Sequence, residues 1–351
     1  MSLTVPRSAG PDAPHTLTDA DRTALLRFMV LMRALEERGL MLYKQGKIPG
    51  NFYDGHGQEA IGVGATFALD RGDAVCPLIR DLGAHLVRGT DITEILRHHM
   101  GRRNALSHGR EGNVHFGDWH RGVVGMVSML PDMMVVANGL ALAFQIRREH
   151  RCALSFFGDG ATSRGDWHEA MNWAAVDRLP VIYILENNHW AYSTPQRRQF
   201  AVPPIERARG YGIAAETIDG NDVEAVFHAV ARARDRALDG GGPTLIEAVT
   251  MRMHGHGAHD DARYVDPRQL EAWAQRDPIE RYAAALEATV DVAALQAEVA
   301  EEVELAVKAA LATPMADPAE ATRDVFCDGD AVPIGEGDAP WSGFAMAEGR
   351  S

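Results

Sequence analysis

In the stretch FFGDGATSRGDWHEA, residues 156–170, an aspartate stands between two glycines directly after an apolar run. A second apolar run, PVIYILE, ends at Asn187-Asn188, with 26 residues (161–186) separating the asparagines from Gly160. A carboxylate and an amide oxygen are hard ligands that suit Mg²⁺ or Ca²⁺, and two of them are too few to fill an octahedron. The remaining positions suit phosphate oxygens, and the backbone N–H groups of Gly160 and Ala161, in the turn before a helix, would face the same anion. The chemistry implied is a diphosphate held through a metal ion. Taken singly, Gly-Asp-Gly is an ordinary tight turn and Asn-Asn an ordinary strand end. Their order and the elements between them set the pair apart.

Those elements must bring Asp159 and Asn188 to one place. Four runs, at 73–79, 152–157, 180–186 and 244–251, are apolar on both faces rather than alternating, the pattern of a parallel sheet covered by helices. Helical stretches lie between them, among them VVANGLALAFQIRREH, DWHEAMNWAAVDR and DVEAVFHAVARARDRAL. In a right-handed strand-helix-strand crossover both strands point the same way, so Asp159 and the asparagines arrive together at the carboxyl edge. The fold class expected is α/β, a doubly wound, mostly parallel sheet flanked by helices. Residues 1–16, rich in Pro, Ser and Gly, read as a loose arm, and a long helix capped by Thr18 or Asp19 follows. The main domain spans 17–314, and 315–351, rich in Asp, Gly and Pro, reads as a surface tail.

A second cluster is His254-Gly-His256-Gly-Ala-His259-Asp260-Asp261. It bears some likeness to the HxHxDH of metallo-hydrolases. Ala258 stands where that motif needs its aspartate, and no histidine follows residue 259 to complete a second half. His98 and His99 fall in a helical stretch, EILRHHMG, and receive no role.

Composition narrows the field further. The chain has 351 residues, 46% hydrophobic and 24% charged, enough to bury a large core. Its 49 acidic residues against 35 basic ones give a net charge of −14, which argues against a nucleic-acid surface. No apolar run reaches the roughly 20 residues of a membrane span, and the first residues lack the apolar core of a secretion signal. Cys76, Cys152 and Cys327 are widely spaced without a CxxC pair, so cysteines that are small, reduced core residues in the cytoplasm are expected. There is no G-x-G-x-x-G opening a first helix and no G-x-x-x-x-G-K-[ST].

The Gly-Asp-Gly and Asn-Asn pair is similar to the thiamine diphosphate-binding motif. Around it stand GHGQEAIGVGA (55–65), PLIRDLGAHLVRG (77–89), VSMLPDMMVVANGLALA (127–143), ENNHWAYSTP (186–195) and MRMHGHGAHDD (251–261). Together, over roughly residues 20–285, they resemble the alpha subunit of the thiamine-dependent first component of 2-oxoacid dehydrogenase complexes, the pyruvate, branched-chain and acetoin family. The resemblance implies thiamine diphosphate and Mg²⁺ bound between an alpha and a beta subunit, in a heterotetramer of two of each. It also implies a 2-oxoacid that loses carbon dioxide, and an acyl group passed to a lipoyl-bearing acyltransferase component. A noncatalytic subunit that kept the fold would be expected to have lost Asp159, Asn188 or His256, and all three are present.

Carried over by position, the resemblance makes Asp159, Asn188 and the carbonyl of Trp190 metal ligands, tryptophan standing where the family usually has tyrosine. Arg80 would grip the diphosphate, and a guanidinium fork suits two phosphate oxygens. The position before it, often tyrosine in the family, is Ile79. Leu130, 29 positions before Asp159, would be the apolar wedge that bends the cofactor, and Ser128 would offer its backbone to the aminopyrimidine. His256 would lie near the thiazolium as the catalytic histidine, switching between neutral and cationic forms near pH 7. Animal members of the family are switched off by phosphorylation of a serine just after the loop histidine, where this chain has Gly257. The carboxylate that activates the aminopyrimidine comes from the beta subunit, so the chain alone should be catalytically incomplete. The helix VVANGLALAFQI (135–146), small and apolar on nearly every face, is either part of that subunit contact or an ordinary buried helix. Substrate stays open among branched-chain 2-oxoacids, pyruvate and acetoin.

Overall fold

A computed structural model describes residues 15–323. Thr18 starts the first helix by a reciprocal cap: the Asp21 N–H donates to its hydroxyl at 3.2 Å, and its own N–H donates to the Asp21 carboxylate at 2.9 Å. From there the helices are α1 (Asp19–Lys44), α2 (Glu59–Phe67), α3 (Leu82–Val87), α4 (Ile92–His99), α5 (Asp132–Ile146) and α6 (Gly165–Asp177), then α7 (Pro204–Gly210), α8 (Val223–Leu238), α9 (Pro267–Ala274), α10 (Pro278–Leu286) and α11 (Val292–Ala312). Five strands form the central sheet: β1 (Ala74–Cys76), β2 (Ala153–Gly158), β3 (Val181–Asn187), β6 (Ala214–Asp219) and β7 (Thr244–Val249). Two short strands, β4 (Trp190–Ala191) and β5 (Thr194–Pro195), make a separate antiparallel hairpin.

The sheet is parallel throughout in the order β1-β2-β3-β7-β6, as the doubly apolar runs imply. Alternation along each strand divides the core in two. Leu154, Phe156, Ile182, Ile184 and Ile246 pack into one cluster with α1, α2, α8 and α11. Phe157, Val181, Tyr183, Leu185 and Leu245 face the other, with α5, α6 and α7. Both faces are therefore covered, which is why neither reads as polar.

Two strand expectations need correction. The run at 73–79 yields only the three residues of β1, because Pro77 has no N–H for the ladder and the chain turns away toward Arg80. β6 has no counterpart among the expected runs. Its sequence, AAETID, has one branched apolar residue, and as the sheet edge it is mostly half-buried, so it lacks the apolar run of an inner strand.

The chain up to Ala316 forms one compact unit, and a second begins at Asp317. Within the first, Met315 pairs with Arg102, and the Ala316 N–H donates to the Gly101 carbonyl at 3.2 Å. The described part of the second holds a short 3-10 turn, Pro318–Thr322. Most of the expected arm and tail lies outside the described residues, as does Cys327. Cys76 and Cys152 are free and buried, and burial pushes the Cys76 thiol up to about 12. Among the described residues no helix is long and apolar enough to cross a membrane.

Candidate active site

Register decides where the opening motif lands. Gly158 stands opposite Glu186 on the neighbouring strand, and Glu186 opposite Ala248 on the next, so β2, β3 and β7 all end at one edge. A cleft enclosing about 870 Å³, solvent included, opens there. Its lining includes Arg80, Leu130, Asp159, Gly160, Ala161, Asn188, Trp190 and His256, eight of the nine residues expected to bind cofactor or metal or to act in catalysis. Ser128 is the exception: it is exposed outside the lining, with its hydroxyl hydrogen-bonded to His115.

Asp159 is 1% exposed. Burial raises its carboxyl above the usual value, opposed by hydrogen bonds from the Gln199 side chain and the Gly160 backbone. Gln199 Nε2 donates to one carboxylate oxygen at 2.8 Å. Asn188, also buried, donates from Nδ2 to Gln58 Oε1 at 3.0 Å and accepts from the Trp190 N–H at 3.3 Å. The turn after Asp159 is pinned by Arg207, whose guanidinium donates to the carbonyl and hydroxyl of Thr162 at 2.7 and 2.9 Å. Gly160 is required by close approach, since a Cβ there would sit 2.4 Å from that of Ala191. At Gly158 a Cβ would meet nothing within 4 Å, so this position leaves open the space beside the carboxylate.

Arg80 is almost fully buried, and burial together with Arg252 lowers its affinity for its proton. It donates to the carbonyls of Asp54 and His256, both at 2.7 Å, tying the 52–58 loop to the histidine loop. A guanidinium carries five N–H groups, so donors remain for an anion in the cleft. These features fit a diphosphate and a hard cation: a buried carboxylate, an amide oxygen in the same lining, a cationic fork, and a glycine that leaves room. Glu186, buried in the same lining, pairs with the Asp81 carboxyl, and burial raises both above their usual range.

The histidine loop is held by side chains. Arg252, 2% exposed, donates to the carbonyls of His254 and Tyr192 and to the Tyr264 hydroxyl at 3.1, 2.8 and 2.6 Å. Tyr264 in turn bonds Asp260, which accepts from the His256 N–H at 2.7 Å. The three loop histidines do not converge: His254 meets Asp54 at 2.8 Å, His259 meets Asn51 at 2.8 Å, and His256 lies over Tyr192 with ring centroids 4.6 Å apart. No group of three His, Cys, Asp or Glu side chains fit to hold a metal occurs among the described residues, which removes the support for the metallo-hydrolase likeness.

His256 differs from its expected titration. Burial first, then Arg80 and Arg252, lower it to about 4, so in this environment it is neutral at pH 7 rather than poised to switch. A bound anion beside Arg80 would offset part of that push. His98 and His99 are buried in α4, away from the cleft lining.

Gln199, Gln58, Arg252 and Tyr264 were given no role in the sequence reading, and Asp260 was read only as part of the histidine cluster. Arg252 left a trace, a charged residue two positions before the histidines and just after a buried strand. Gln199 left none.

A five-stranded parallel sheet with a carboxylate, an amide and an arginine gathered at its carboxyl edge belongs to the doubly wound α/β class, whose ligands bind at that edge. Residues 27–319 match the family described as dehydrogenase E1 component, and the chain belongs to that family, whose members depend on thiamine diphosphate. It is 39% identical over 277 residues to the 2-oxoisovalerate dehydrogenase subunit alpha of Bacillus subtilis (strain 168), covering 78% of this chain and 84% of that one. It is 39% identical over 267 residues to the 3-methyl-2-oxobutanoate dehydrogenase subunit alpha of Mycobacterium tuberculosis (strain CDC 1551 / Oshkosh), covering 74% and 68%. With the alpha subunit of the acetoin:2,6-dichlorophenolindophenol oxidoreductase of Bacillus subtilis it shares 31% over 316 residues, covering 89% and 95%.

Proposed function

We propose that the chain is the alpha subunit of a cytoplasmic 2-oxoacid dehydrogenase that uses thiamine diphosphate and Mg²⁺ to decarboxylate a branched-chain 2-oxoacid or pyruvate. The acyl group then goes to a lipoyl-bearing acyltransferase component. The observation that carries this reading is the convergence of Arg80, Leu130, Asp159, Asn188, Trp190 and His256 on one cleft, from segments scattered over the sequence. Higher identity to the two branched-chain relatives than to the acetoin relative favours a branched-chain acid as substrate.

Thiamine diphosphate, when bound, supplies the electron sink that decarboxylation requires. The chain's own residues do the rest of the work on this side of the site. Asp159, Asn188 and the Trp190 carbonyl would hold the cation, and Arg80 with the Gly160 and Ala161 amides would hold the diphosphate. Leu130, in the cleft lining, would offer the bound cofactor an apolar contact, and Ser128, outside that lining here, would offer its backbone to the aminopyrimidine. His256, neutral and hydrogen-bond competent, moves a proton to or from the substrate-derived oxygen.

The carboxylate that activates the aminopyrimidine belongs to a beta subunit, and the working assembly is two alpha and two beta chains. An obligate contact of that kind buries roughly 2,000 Å² or more. α5 supplies a surface for it. Met133, Met134, Ala137, Ala141 and Phe144 pack inward, while Val135, Val136 and Ile146 are exposed and nothing lies within 4 Å of a Cβ at Gly139. The test is to purify the chain alone and with its beta subunit and to assay a panel of 2-oxoacids and acetoin with an artificial electron acceptor. Decarboxylation is expected only from the mixture. Full activity from the chain alone would overturn the subunit assignment.

A further inference from the structure

Both side chains assigned to the cation are held by a glutamine, and the two holds are alike. Gln199 Nε2 donates to one oxygen of Asp159 at 2.8 Å and to the Thr194 carbonyl at 3.1 Å. Its backbone carbonyl accepts from the Ser163 hydroxyl at 2.9 Å, so the residue also ties the segment after β5 to the turn after β2. Gln58 Oε1 accepts from Asn188 Nδ2 at 3.0 Å. Gln58 is 2% exposed and precedes the first residue of α2, whose residues are all buried.

The chemistry of these contacts is selective. A carboxylate with one oxygen bound to an amide N–H offers the other oxygen in a fixed direction. A carboxamide whose NH₂ is bound turns its oxygen the opposite way, and the Gln58 contact decides which end of Asn188 meets the cation. A neutral amide does this without drawing charge from the ligand, as a lysine or arginine partner would. Each glutamine keeps one further polar atom, Gln199 Oε1 and Gln58 Nε2, buried and without a partner among the described atoms. Buried polar atoms are rarely left so, and an acceptor and a donor beside a cation site suit its coordinated waters or phosphate oxygens.

We propose that Gln199 and Gln58 are positioning residues that fix Asp159 and Asn188 in the geometry Mg²⁺ demands, and so set the site's preference for Mg²⁺ over Ca²⁺. The proposal rests on the metal reading given under Proposed function. Mg²⁺ requires near-octahedral ligands at short range, whereas Ca²⁺ tolerates irregular ones, so loss of orientation harms the smaller ion more.

The experiment is calorimetric titration of Mg²⁺ and of Ca²⁺ into the chain with its beta subunit and thiamine diphosphate. The variants are Gln199→Met, Gln58→Met and Asp159→Ala, each with a melting curve taken without metal. The expected result is a loss of Mg²⁺ affinity of about 10- to 100-fold for each glutamine variant, the usual scale for an outer-shell partner. Ca²⁺ affinity should fall much less. Should Gln199→Met fail to fold, Gln199→Leu removes the donor without adding a charge and should show the same narrowing of the Mg²⁺ to Ca²⁺ ratio. Equal losses for both ions, or unchanged Mg²⁺ affinity while Asp159→Ala abolishes binding, would overturn the positioning role alone. Unchanged Mg²⁺ binding in Asp159→Ala would overturn the metal reading and this proposal with it.

Discussion

The cleft is built from two regions held in different ways. At the carboxyl edge of the sheet, Asp159 and Asn188 follow strands whose register is set by ladders of backbone hydrogen bonds, Gly158 facing Glu186 and Asn187 facing Val249. In the loop at 251–261 no ladder exists, and the same precision comes from Arg252, Tyr264, Asp260 and Asp54. Backbone amides do not titrate, and short of proline no substitution removes them. Side chains can titrate and can be removed, so the strands that carry the edge should resist changes of pH, while the loop should respond to pH and to loss of the side chains that hold it.

The strongest break in this comparison is Asp159→Ala. It removes a ligand and no core, and it relieves the burial that raises the Asp159 carboxyl, so the fold should survive. Mg²⁺-dependent binding of thiamine diphosphate should be lost by more than the ~100-fold that an outer-shell partner commands. Isothermal titration beside a thermal melt checks both halves. Cofactor affinity equal to that of the unaltered chain would show that the metal ligands lie elsewhere.

Arg252→Met tests the loop at the side chain that anchors it. The substitution removes the Arg252 donor from the carbonyls of His254 and Tyr192 and from the Tyr264 hydroxyl, at ~1.5–3 kcal/mol for each lost bond to a charged group. The edge should stay intact, so cofactor and Mg²⁺ still bind. Turnover should drop on the order of 100-fold, the effect of a reacting group displaced by about 1 Å. Limited proteolysis within 251–264 should speed up at the same time. A variant that loses cofactor binding as completely as Asp159→Ala would show that the two regions are one cooperative unit.

The same division governs what could be read from the sequence. The edge was legible because periodicity fixes the strands, and Asp159 and Asn188 each follow directly on a strand end. Residues that meet the ligands from far along the chain were not legible, Gln199 lying 40 positions from Asp159 and Gln58 130 from Asn188. Nothing local distinguishes them from other polar residues. β6 was missed for a related reason: an edge strand is not obliged to be apolar on both faces, and AAETID is not. The expected titration of His256 failed because it depends on two guanidiniums, Arg80 and Arg252, whose approach only the tertiary structure sets. Helices fared better, the Thr18 cap and the helical stretch around His98 falling where propensity puts them.

The smallest effect expected is also the one that most sharpens the contrast. His254 Nδ1 meets Asp54 at 2.8 Å, and its ring lies 4.5 Å from that of His56. The bond to Asp54 raises His254 above its ordinary 6.5, with burial opposing and Glu59 assisting against Arg33. Asp54 would be raised by burial, but His254 and then Arg80 hold it below its ordinary 3.8. His56 is lowered to about 4, by burial first and then by Arg33 and His254, so it stays neutral beside the cation. A histidine with a raised pKa gives stability that is full below 6.5 and lost as pH rises through its folded value. A carboxylate with a lowered pKa gives stability that is full above 3.8 and lost as pH falls through its own folded value. The latch is therefore strongest between about 3.8 and 6.5 and loosens toward alkaline pH. His254 is 44% exposed, so solvent screening keeps the effect to a few-fold in local opening. Hydrogen exchange at pH 6 and pH 9, corrected for the intrinsic rate, should show faster opening at 253–261 in alkali and none in the amides of β2 and β3. Asp54→Asn should exchange at the loosened rate at both pH values. Equal pH dependence in the strands and the loop, or a loop unmoved by Asp54→Asn, would remove the distinction between a region held by its backbone and one held by its side chains.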